Sequence, residues 1–479
     1  RWATYKVFDH DPKADTGIVC FITVAGFLNG PGFQQMREYL RRRANEIWVI
    51  DCSPEGHQPD VPTRIFQGVQ QPVCIMLASR VKRDDETPAR VRFRALPKGH
   101  RKVKFESLAQ ITLDDKNWIE CSSEWRAPFL PAATGEWSRF PALEDFFIYN
   151  GSGVMPGRTW VIAPDAASLK RRWDALVKAP TSHKEELFYP HLRKGENGDK
   201  HTMKIVTQRL AGHESRSIQV AKDKGPSIKP ARYAFRSFDR QWIIPDSRLI
   251  NQPNPQLWEW YSKQQVHLTA PSDRSPTAGP ALCFTWLVPD LHHYHGRGGR
   301  VFPLWQEHET RESNLRPALL AFLSKRYKQP VSAEDLMAYI AAIAAHSAYT
   351  KRFQSDLIQP GLRIPLTANA KLFQQAVQLG RRVIWLHTFG ERFISPKEGR
   401  PKGLARLPKD KAPRIPIKGA IPDTSGKMPE TIAYEPASQC LMIGEGYVER
   451  VPPEVWRYEV SGKQVLRQWF SYRQKNRER

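Results

Sequence analysis

The hydrophobic positions of the first eighty residues alternate between continuous runs and helical spacing. Residues 17–22 and 47–50 are continuous apolar runs, which is the pattern of strands buried on both faces. Between them Phe33, Met36 and Leu40 recur at helical spacing, and three arginines close the segment, as favours a helix C-terminus. A third apolar run covers residues 73–78. Strand–helix–strand units of this length predict a mainly parallel sheet with helices packed on it.

Beyond residue 81 the pattern changes to short β-rich runs, loops and a few helices. Asp165 predicts the N-cap of a helix that carries its apolar residues on one face and ends before Pro180. We find no clear helix signal between residues 181 and 315. Further helices are predicted to start at Pro317 and Ser332, to cover residues 372–379 with Gly380 as the C-terminal cap, and to cover residues 455–470.

Composition restricts the class of protein. The chain has 479 residues, 40% of them hydrophobic, which is enough for sizeable cores and excludes a wholly disordered chain. Its longest nearly pure apolar stretch, residues 336–345, is too short for a bilayer, which takes about 20 residues, so no membrane span, and no membrane partner of that kind, is expected. Lys and Arg number 73 against 49 Asp and Glu, and the net charge of +24 suggests a polyanionic partner such as DNA, RNA or an anionic membrane.

The six cysteines are scattered without a CxxC pair, and residues 1–11 do not form a secretory signal. These features predict a cytoplasmic protein without disulfides. Because the chain starts with Arg1, we expect it to be processed or to be a segment of a longer protein.

Candidate chemical motifs are weak. Gly151, Gly153 and Gly157 resemble a dinucleotide fingerprint with the last glycine one position late, and a plain turn is the better interpretation. The glycine loop of residues 27–32 is likewise interpreted as a loop rather than a cofactor site. The histidines of residues 292–295 are predicted to lie in a solvated basic loop rather than to bind a metal. We find no GxSxG, HExxH or P-loop motif, and hence no catalytic, cofactor-binding or metal-ligating residues.

A resemblance covers the N-terminal part of the chain. Residues 17–23, 27–30, 33–40 and 46–51 resemble the strand, loop, helix and strand that follow the catalytic Pro-Pro-aromatic loop in DNA adenine-N6 methyltransferases. Residues 65–80 look like the last hairpin of the same sheet. The Pro-Pro-aromatic motif itself, which would hold a flipped base, is absent from this chain.

The remainder resembles the C-terminal specificity domain of the Type ISP restriction-modification enzymes. The matching stretches are residues 149–154 with 157–158, 234–242, 302–304, 348–353 with 363–365, 379–380 with 386–387, and 453–458 with 464–466 and Trp469. Where that family typically has Tyr-Arg-Pro-Phe-Asp, this chain has Phe235-Arg236-Ser237-Phe238-Asp239.

The resemblance implies an α/β fold: the C-terminal part of a Rossmann-like methyltransferase sheet in residues 1–115, then a mixed α+β, β-rich DNA target-recognition domain in residues 116–479. It implies transfer of a methyl group from S-adenosylmethionine to adenine N6 in phage defence, with double-stranded DNA as partner and a possible nuclease or helicase module. The cofactor site is expected mostly N-terminal to this chain, which alone should be inactive.

The candidate DNA-binding residues are Arg158, Arg236, Arg240, Arg297 and Arg300, since arginine can contact phosphate or the guanine edge. For Arg236, a buried Arg–Asp pair that holds the fold is an equal alternative. Two other functions stay open: a non-catalytic DNA-binding specificity subunit that partners a separate methyltransferase chain, and a basic protein with only non-specific affinity. The hypothesis of non-specific affinity depends on residues 391–418, which are interpreted as an exposed basic loop.

Overall fold

The computed structural model describes most of the chain. The residues outside the described part are 12, 14–15, 55–63, 67, 70, 83–85, 132–134, 189–200, 204, 206–207, 273–275, 295–297, 307–311, 355, 359–360, 422–428 and 475–479. Two compact units share the chain: residues 1–139 with 355–360, and residues 140–354 with 361–479. The functional division after residue 115 stays a prediction. Within the described residues no helix is both long and apolar enough to cross a bilayer.

The smaller unit is built on one five-stranded sheet. Its strands are β1 (Gly17–Val24), β2 (Glu46–Asp51), β3 (Val73–Arg80), β4 (Arg90–Ala95) and β5 (Ile119–Glu120), and its helices are α1 (Trp2–Thr4), α2 (Gln34–Arg43) and α3 (Arg101–Ala109). The three apolar runs and the first helix are therefore where the hydrophobic pattern predicts them.

The prediction of a mainly parallel sheet is wrong. The strand order is β1-β3-β2-β4-β5, and only β2 and β4 pair in parallel. β1 and β2 do run in the same direction, as a strand–helix–strand unit requires. However, β3 follows β2 and inserts between the two strands, antiparallel to both, so the pairs that form are antiparallel.

β1 also differs from the expected strand buried on both faces. Val19 is buried in the core of the smaller unit, but Ile18, Cys20, Ile22 and Val24 on the opposite face are exposed. β1 is an edge strand that pairs only with β3 among the described strands. An exposed apolar face on an edge strand is unusual, because such edges invite pairing with further strands.

The larger unit combines short strands in four small sheets with nine described helices. Its strands are β6 (Gly151–Ser152), β7 (Ile162–Ala163), β8 (Ala231–Arg236), β9 (Asp239–Ile243), β10 (His267–Pro271), β11 (Cys283–Thr285), β12 (Gly299–Pro303), β13 (Ile432–Glu435), β14 (Cys440–Ile443), β15 (Gly446–Val448), β16 (Glu459–Val460) and β17 (Lys463–Gln464). Its helices are α4 (Ala166–Lys178), α5 (Thr181–Phe188), α6 (Pro255–Glu259), α7 (Pro317–Tyr327), α8 (Ala333–Ala344), α9 (Ser347–Arg352), α10 (Ala370–His387), α11 (Pro453–Arg457) and α12 (Val465–Ser471).

The β-strands of this unit pair as β7-β9-β8, β11-β10-β12-β6, β13-β14-β15 and β16-β17, all antiparallel. Its main core packs the β7-β9-β8 sheet against the apolar stripe of α4, with Trp173 fully buried. The fold is thus mixed α and β with several sheets.

Helix starts are confirmed more often than helix ends. Asp165 caps α4 by accepting a hydrogen bond from the Ser168 amide at 2.7 Å, and Ser332 with Asp335 forms the capping box of α8. The prediction that residues 181–315 hold no helix is wrong, because α5 and α6 lie there. α5 has a mostly polar sequence without an apolar stripe, so its periodicity does not reveal it.

Gly380 does not end a helix; it lies inside α10, which continues to His387. A Cβ atom at this position would lie 1.6 Å from the Ala338 carbonyl oxygen of α8. The glycine therefore allows two helices to approach closely. The C-terminal prediction also fails in part: residues 455–470 form the end of α11, the β16–β17 hairpin and most of α12.

Candidate nucleic-acid interface

The β8–β9 hairpin positions two of the candidate arginines, Arg236 and Arg240. Its turn consists of Ser237 and Phe238, and Phe238 has a φ of 61°, in the left-handed region. The Ser237 hydroxyl donates to the His293 carbonyl oxygen at 2.9 Å, and the Phe238 ring packs edge-on against His387. These contacts hold the turn without the proline that the resemblance leads one to expect.

Arg236 is held inside the larger unit. Its Nη1 donates to Asp290 Oδ1 at 2.9 Å, and its Nε donates to the Tyr472 hydroxyl at 3.1 Å. The guanidinium also lies over the Phe235 ring, 3.8 Å from its centroid. Asp290 comes alongside because its amide bonds to the Ala234 carbonyl oxygen of β8. A buried arginine–aspartate pair therefore exists, and Asp290 is the partner.

Asp290 is a buried acceptor with several donors. Besides Arg236 it accepts from the Tyr233 hydroxyl at 2.9 Å and from the His292 amide at 2.8 Å. Burial raises the pKa of Asp290, although the charge of Arg236 opposes the rise. The carboxylate of Asp239 on the hairpin is satisfied separately, by Arg473 at 2.7 Å.

Arg158 is also buried. Its guanidinium donates to the Leu249 carbonyl oxygen and to Asn251 Oδ1, both at 2.9 Å, and lies 4.4 Å from the Phe188 ring centroid. A side chain engaged in this way braces α5 and the segment after β9. It is less available to DNA than a solvent-facing arginine.

Arg240 and Arg300 are half-buried. The Arg240 guanidinium lies 3.7 Å from the Phe389 ring centroid, and burial lowers its pKa. Arg300 on β12 donates to Asn150 Oδ1 at 2.5 Å, and its side chain is 39% exposed. Arg297 lies outside the described residues. The DNA-binding role of all five arginines stays a prediction, and Arg240 and Arg300 are more accessible than Arg158 and Arg236.

His292 and His293 are used within the fold, and the prediction of a solvated loop is wrong for them, because His293 is buried and His292 is half-buried. His293 Nδ1 lies 2.8 Å from the Thr269 hydroxyl, and His292 Nδ1 accepts from the Gly298 amide; His295 lies outside the described residues. Across the described part of the chain no group of three or more His, Cys, Asp or Glu side chains is arranged to hold a metal ion.

Each glycine cluster contains a glycine at a close contact, although Gly26 and Gly32 have open space around them. A Cβ atom at Gly153 would lie 2.6 Å from the Asp290 carbonyl group, so this glycine serves a close backbone approach. In the smaller unit the loop after β1 surrounds Arg37, whose Nη1 donates to the Phe27 and Gly30 carbonyl oxygens at 2.9 Å. A cationic side chain thus occupies the loop that loosely resembles a cofactor loop.

In the larger unit, a series of exposed cations lies in the segment after α10. We call residues 401–418 the basic loop. It carries Lys402, Arg406, Lys409, Lys411, Arg414 and Lys418, all of them exposed. The prediction of an exposed basic loop is therefore confirmed for this segment. Glu391 and Arg392 before it are half-buried, and Arg400 is buried.

Sequence reasoning missed Asp290, Tyr472 and Arg473, the partners of the β8–β9 hairpin. They are distant from it in sequence, and no local pattern marks them. It did identify the basic loop, because its charge and proline content are visible in composition alone.

Comparison with known proteins gives a consistent result. A family model described as the Type ISP C-terminal specificity domain matches residues 145–479. No curated protein matches the chain.

Three solved structures are similar in fold. They are a nuclease-deletion mutant of the Type ISP restriction-modification enzyme LlaGI with a DNA substrate mimic (16% identity, TM-score 0.64), the DrdV–DNA complex (17%, 0.64) and the ATP-dependent Type ISP enzyme LlaBIII bound to DNA (15%, 0.63). The matches cover 98%, 100% and 98% of this chain, but only 36%, 48% and 30% of those enzymes. The chain therefore spans less than half the length of the solved enzymes.

Proposed function

Because the chain belongs to the family of the Type ISP C-terminal specificity domain, we propose that it recognises duplex DNA as the target-specificity segment of a restriction-modification enzyme. The family match over residues 145–479 is the observation that carries this proposal. The net charge of +24 fits a polyanionic partner. All three similar enzymes were solved with DNA or a DNA mimic, which supports the same partner.

We also propose that the smaller unit is the C-terminal part of a Rossmann-like DNA adenine-N6 methyltransferase domain. The insertion of β3, reversed, between β1 and β2 supports this proposal. Of the hairpin that the resemblance implies for residues 65–80, the described residues form only the strand β3. β1 is an edge strand among the described strands and has an exposed apolar face, which fits a sheet whose edge is extended and whose face is covered by further protein. S-adenosylmethionine would supply the methyl group, and its site and the catalytic residues would come from that further protein.

On this proposal the chain by itself does not methylate DNA. Its own residues would bind the duplex, position it by phosphate contacts and select the site by contacts to base edges. A nuclease or helicase module would act with it, as the nuclease-deletion and ATP-dependent descriptions of two similar enzymes suggest. A cytoplasmic location fits the six cysteines, all of which are free thiols.

The test is selection of binding sites from a pool of random duplexes by the purified chain, repeated across a salt series. Phosphate contacts weaken steeply with salt, whereas base contacts preserve the affinity ratio between sites. The proposal predicts an enriched motif that survives high salt. Binding that disappears uniformly without enrichment would contradict target recognition by this chain. Detectable methylation by the isolated chain would contradict the proposed division of the methyltransferase domain.

A further inference from the structure

The basic loop has the charge of a phosphate-binding surface. Among residues 401–418, Asp410 is the only acidic residue beside six Lys and Arg. Opposite charges that would neutralise these cations locally are therefore nearly absent from the loop itself. A concentration of one sign of charge on a surface attracts a polyanion and raises its association rate.

Five of the six cations are also unengaged within the described part of the chain. Arg414 pairs with Glu449 at 2.7 Å. The side chains of the other five form no ion pair or hydrogen bond with another described residue: Lys402, Arg406, Lys409, Lys411 and Lys418. Their charges are available to an external partner, in contrast to Arg158 and Arg236.

The backbone of the loop is nevertheless anchored at its start. The Gly403 amide donates to the Gly390 carbonyl oxygen, and Trp385 Nε1 of α10 donates to the Pro401 carbonyl oxygen at 2.8 Å. Just before the loop, Arg400 donates to the Phe393 carbonyl oxygen at 2.9 Å. These bonds attach the first part of the loop to the end of α10.

A second set of hydrogen bonds anchors the middle and the end of the basic loop. Arg450 donates to the Lys409 carbonyl oxygen at 2.9 Å, and the backbones of Arg414 and Glu449 exchange hydrogen bonds. Four prolines within the loop further restrict its backbone: Pro401, Pro408, Pro413 and Pro416. A loop held in this way presents its cations with a smaller cost in conformational entropy on binding.

We propose that the basic loop binds the phosphate backbone of duplex DNA and supplies sequence-independent affinity, while the base-reading contacts lie elsewhere in the larger unit. This inference rests on the proposed function of the chain. Lysine is a point charge suited to phosphate, and four of the five unengaged cations are lysines. Exposed aliphatic residues between them, such as Ile417 at 97% exposure, can contact sugars or enter a groove.

An anionic membrane surface is the competing partner for a segment that mixes cations with aliphatic residues. Membrane-surface segments usually form a helix with one apolar face. The basic loop has four prolines and only a short helical turn at Ile417–Gly419, so it has no such face. Duplex DNA is therefore the better match.

The test compares the whole chain with two variants that carry the same change in charge. The loop variant is K402Q/R406Q/K409Q/K411Q/K418Q. The matched control, K170Q/K178Q/K325Q/K351Q/K371Q, removes five exposed lysines from helices α4, α7, α9 and α10 of the same unit. Affinity for duplexes with and without the selected motif is measured across a salt series. Thermal unfolding verifies that each variant is folded.

We expect the loop variant to bind every duplex at least roughly tenfold more weakly than the unmodified chain. The slope of log affinity against log salt concentration should also be smaller, by about 0.9 for each phosphate that the loop no longer neutralises. The ratio between specific and random duplexes should stay unchanged, and the control variant should behave like the unmodified chain. Equal effects of the two variants would overturn the inference but leave the proposed function intact. Failure of the unmodified chain to bind any duplex would overturn both.

Two further outcomes would also overturn the inference. A loop variant that changes the ratio between sequences would make the loop a base reader. Loop-dependent binding to vesicles rich in anionic lipid, with DNA affinity unchanged in the loop variant, would assign it to a membrane surface.

Discussion

The larger unit contains two kinds of cation that look alike in the sequence and differ in environment. Arg158, Arg236 and Arg248, which we call the inner arginines, are buried and bonded to carbonyl oxygens or carboxylates. The cations of the basic loop are exposed. The difference teaches that a cation is a candidate for nucleic-acid contact only where it is unpaired and accessible.

The energetic consequences differ accordingly. A buried charge pair costs desolvation on both sides, and removing one member leaves the other without compensation. An exposed lysine has almost no such cost, so its removal changes long-range attraction rather than stability. Stability experiments should therefore detect the inner arginines, and DNA-binding experiments should detect the basic loop.

The largest expected effect is a loss of stability in acid that depends on buried histidines of the larger unit. Three histidines of the larger unit are buried: His267, His293 and His387. Burial lowers the pKa of each from 6.5, to about 3 for His267 and His293 and to about 4 for His387. Nearby positive groups further lower the pKa of His267 and His293. Since the unfolded chain binds these protons more readily, stability is greatest above pH 6.5 and falls as the pH drops below it. Each histidine contributes up to about 1.4 kcal/mol per pH unit.

Urea unfolding of the larger unit at several pH values between 7 and 4.5 measures this fall. A His267→Leu variant should reduce the slope by one proton, while the loop variant should leave it unchanged because the groups it replaces are protonated throughout this range. Stability that is constant from pH 7 to pH 5 would contradict the account of the buried histidines.

The next largest effect is the loss of stability that follows replacement of an inner arginine. Arg248 bonds to Asp246 at 2.6 Å and to Asp223 at 3.0 Å, and all three side chains are buried. We expect Arg248→Met to destabilise the unit by about 3–5 kcal/mol, because the buried Asp246 loses its counter-ion and Asp223 keeps only its pair with Arg216. Lys409→Met serves as the control and should change the free energy of unfolding by less than about 0.5 kcal/mol. Similar values for the two variants would remove the distinction between the two kinds of cation.

Arg300 sharpens the comparison because it is a candidate arginine whose side chain is 39% exposed. If it reads a base, Arg300→Gln should weaken binding to the selected motif by about 1–3 kcal/mol and relax specificity at one position. The free energy of unfolding should change little. Arg236→Gln should instead reduce the free energy of unfolding. If this variant lost DNA specificity while its stability was unchanged, the structural role of Arg236 would be contradicted.

The smallest effect concerns the exposed pair of Arg414 with Glu449. Arg414→Gln should change stability by no more than about 1 kcal/mol, since exposed ion pairs contribute little and the backbone bonds between these two residues remain. Thermal unfolding measures it, and a large loss of stability would show that the pair is an essential anchor of the loop.

Local signals predicted the local structure well. Apolar runs identified β1, β2 and β3, and capping residues identified the starts of α4 and α8, because these features depend on neighbours in sequence. Gly380 was misjudged because the contact that requires glycine comes from α8, a separate helix. The sheet direction was misjudged because β3 inserts between β1 and β2, a pairing that no local pattern marks.

The same limit applies to the candidate site. The exposed charge of residues 401–418 is readable from composition, since many cations with few acids cannot all be neutralised locally. The burial of Arg236 depends on Asp290 and Tyr472, which only the fold brings together. Arginines chosen from the sequence alone therefore mix structural and accessible side chains.

The most direct test of the account is lysine acetylation of the whole chain with and without duplex DNA, read by mass spectrometry. We predict that DNA protects Lys402, Lys409, Lys411 and Lys418, while the exposed lysines of α4, α7 and α10 react equally in both samples. Equal reaction of the loop lysines in both samples, under conditions where the duplex is bound, would contradict the account.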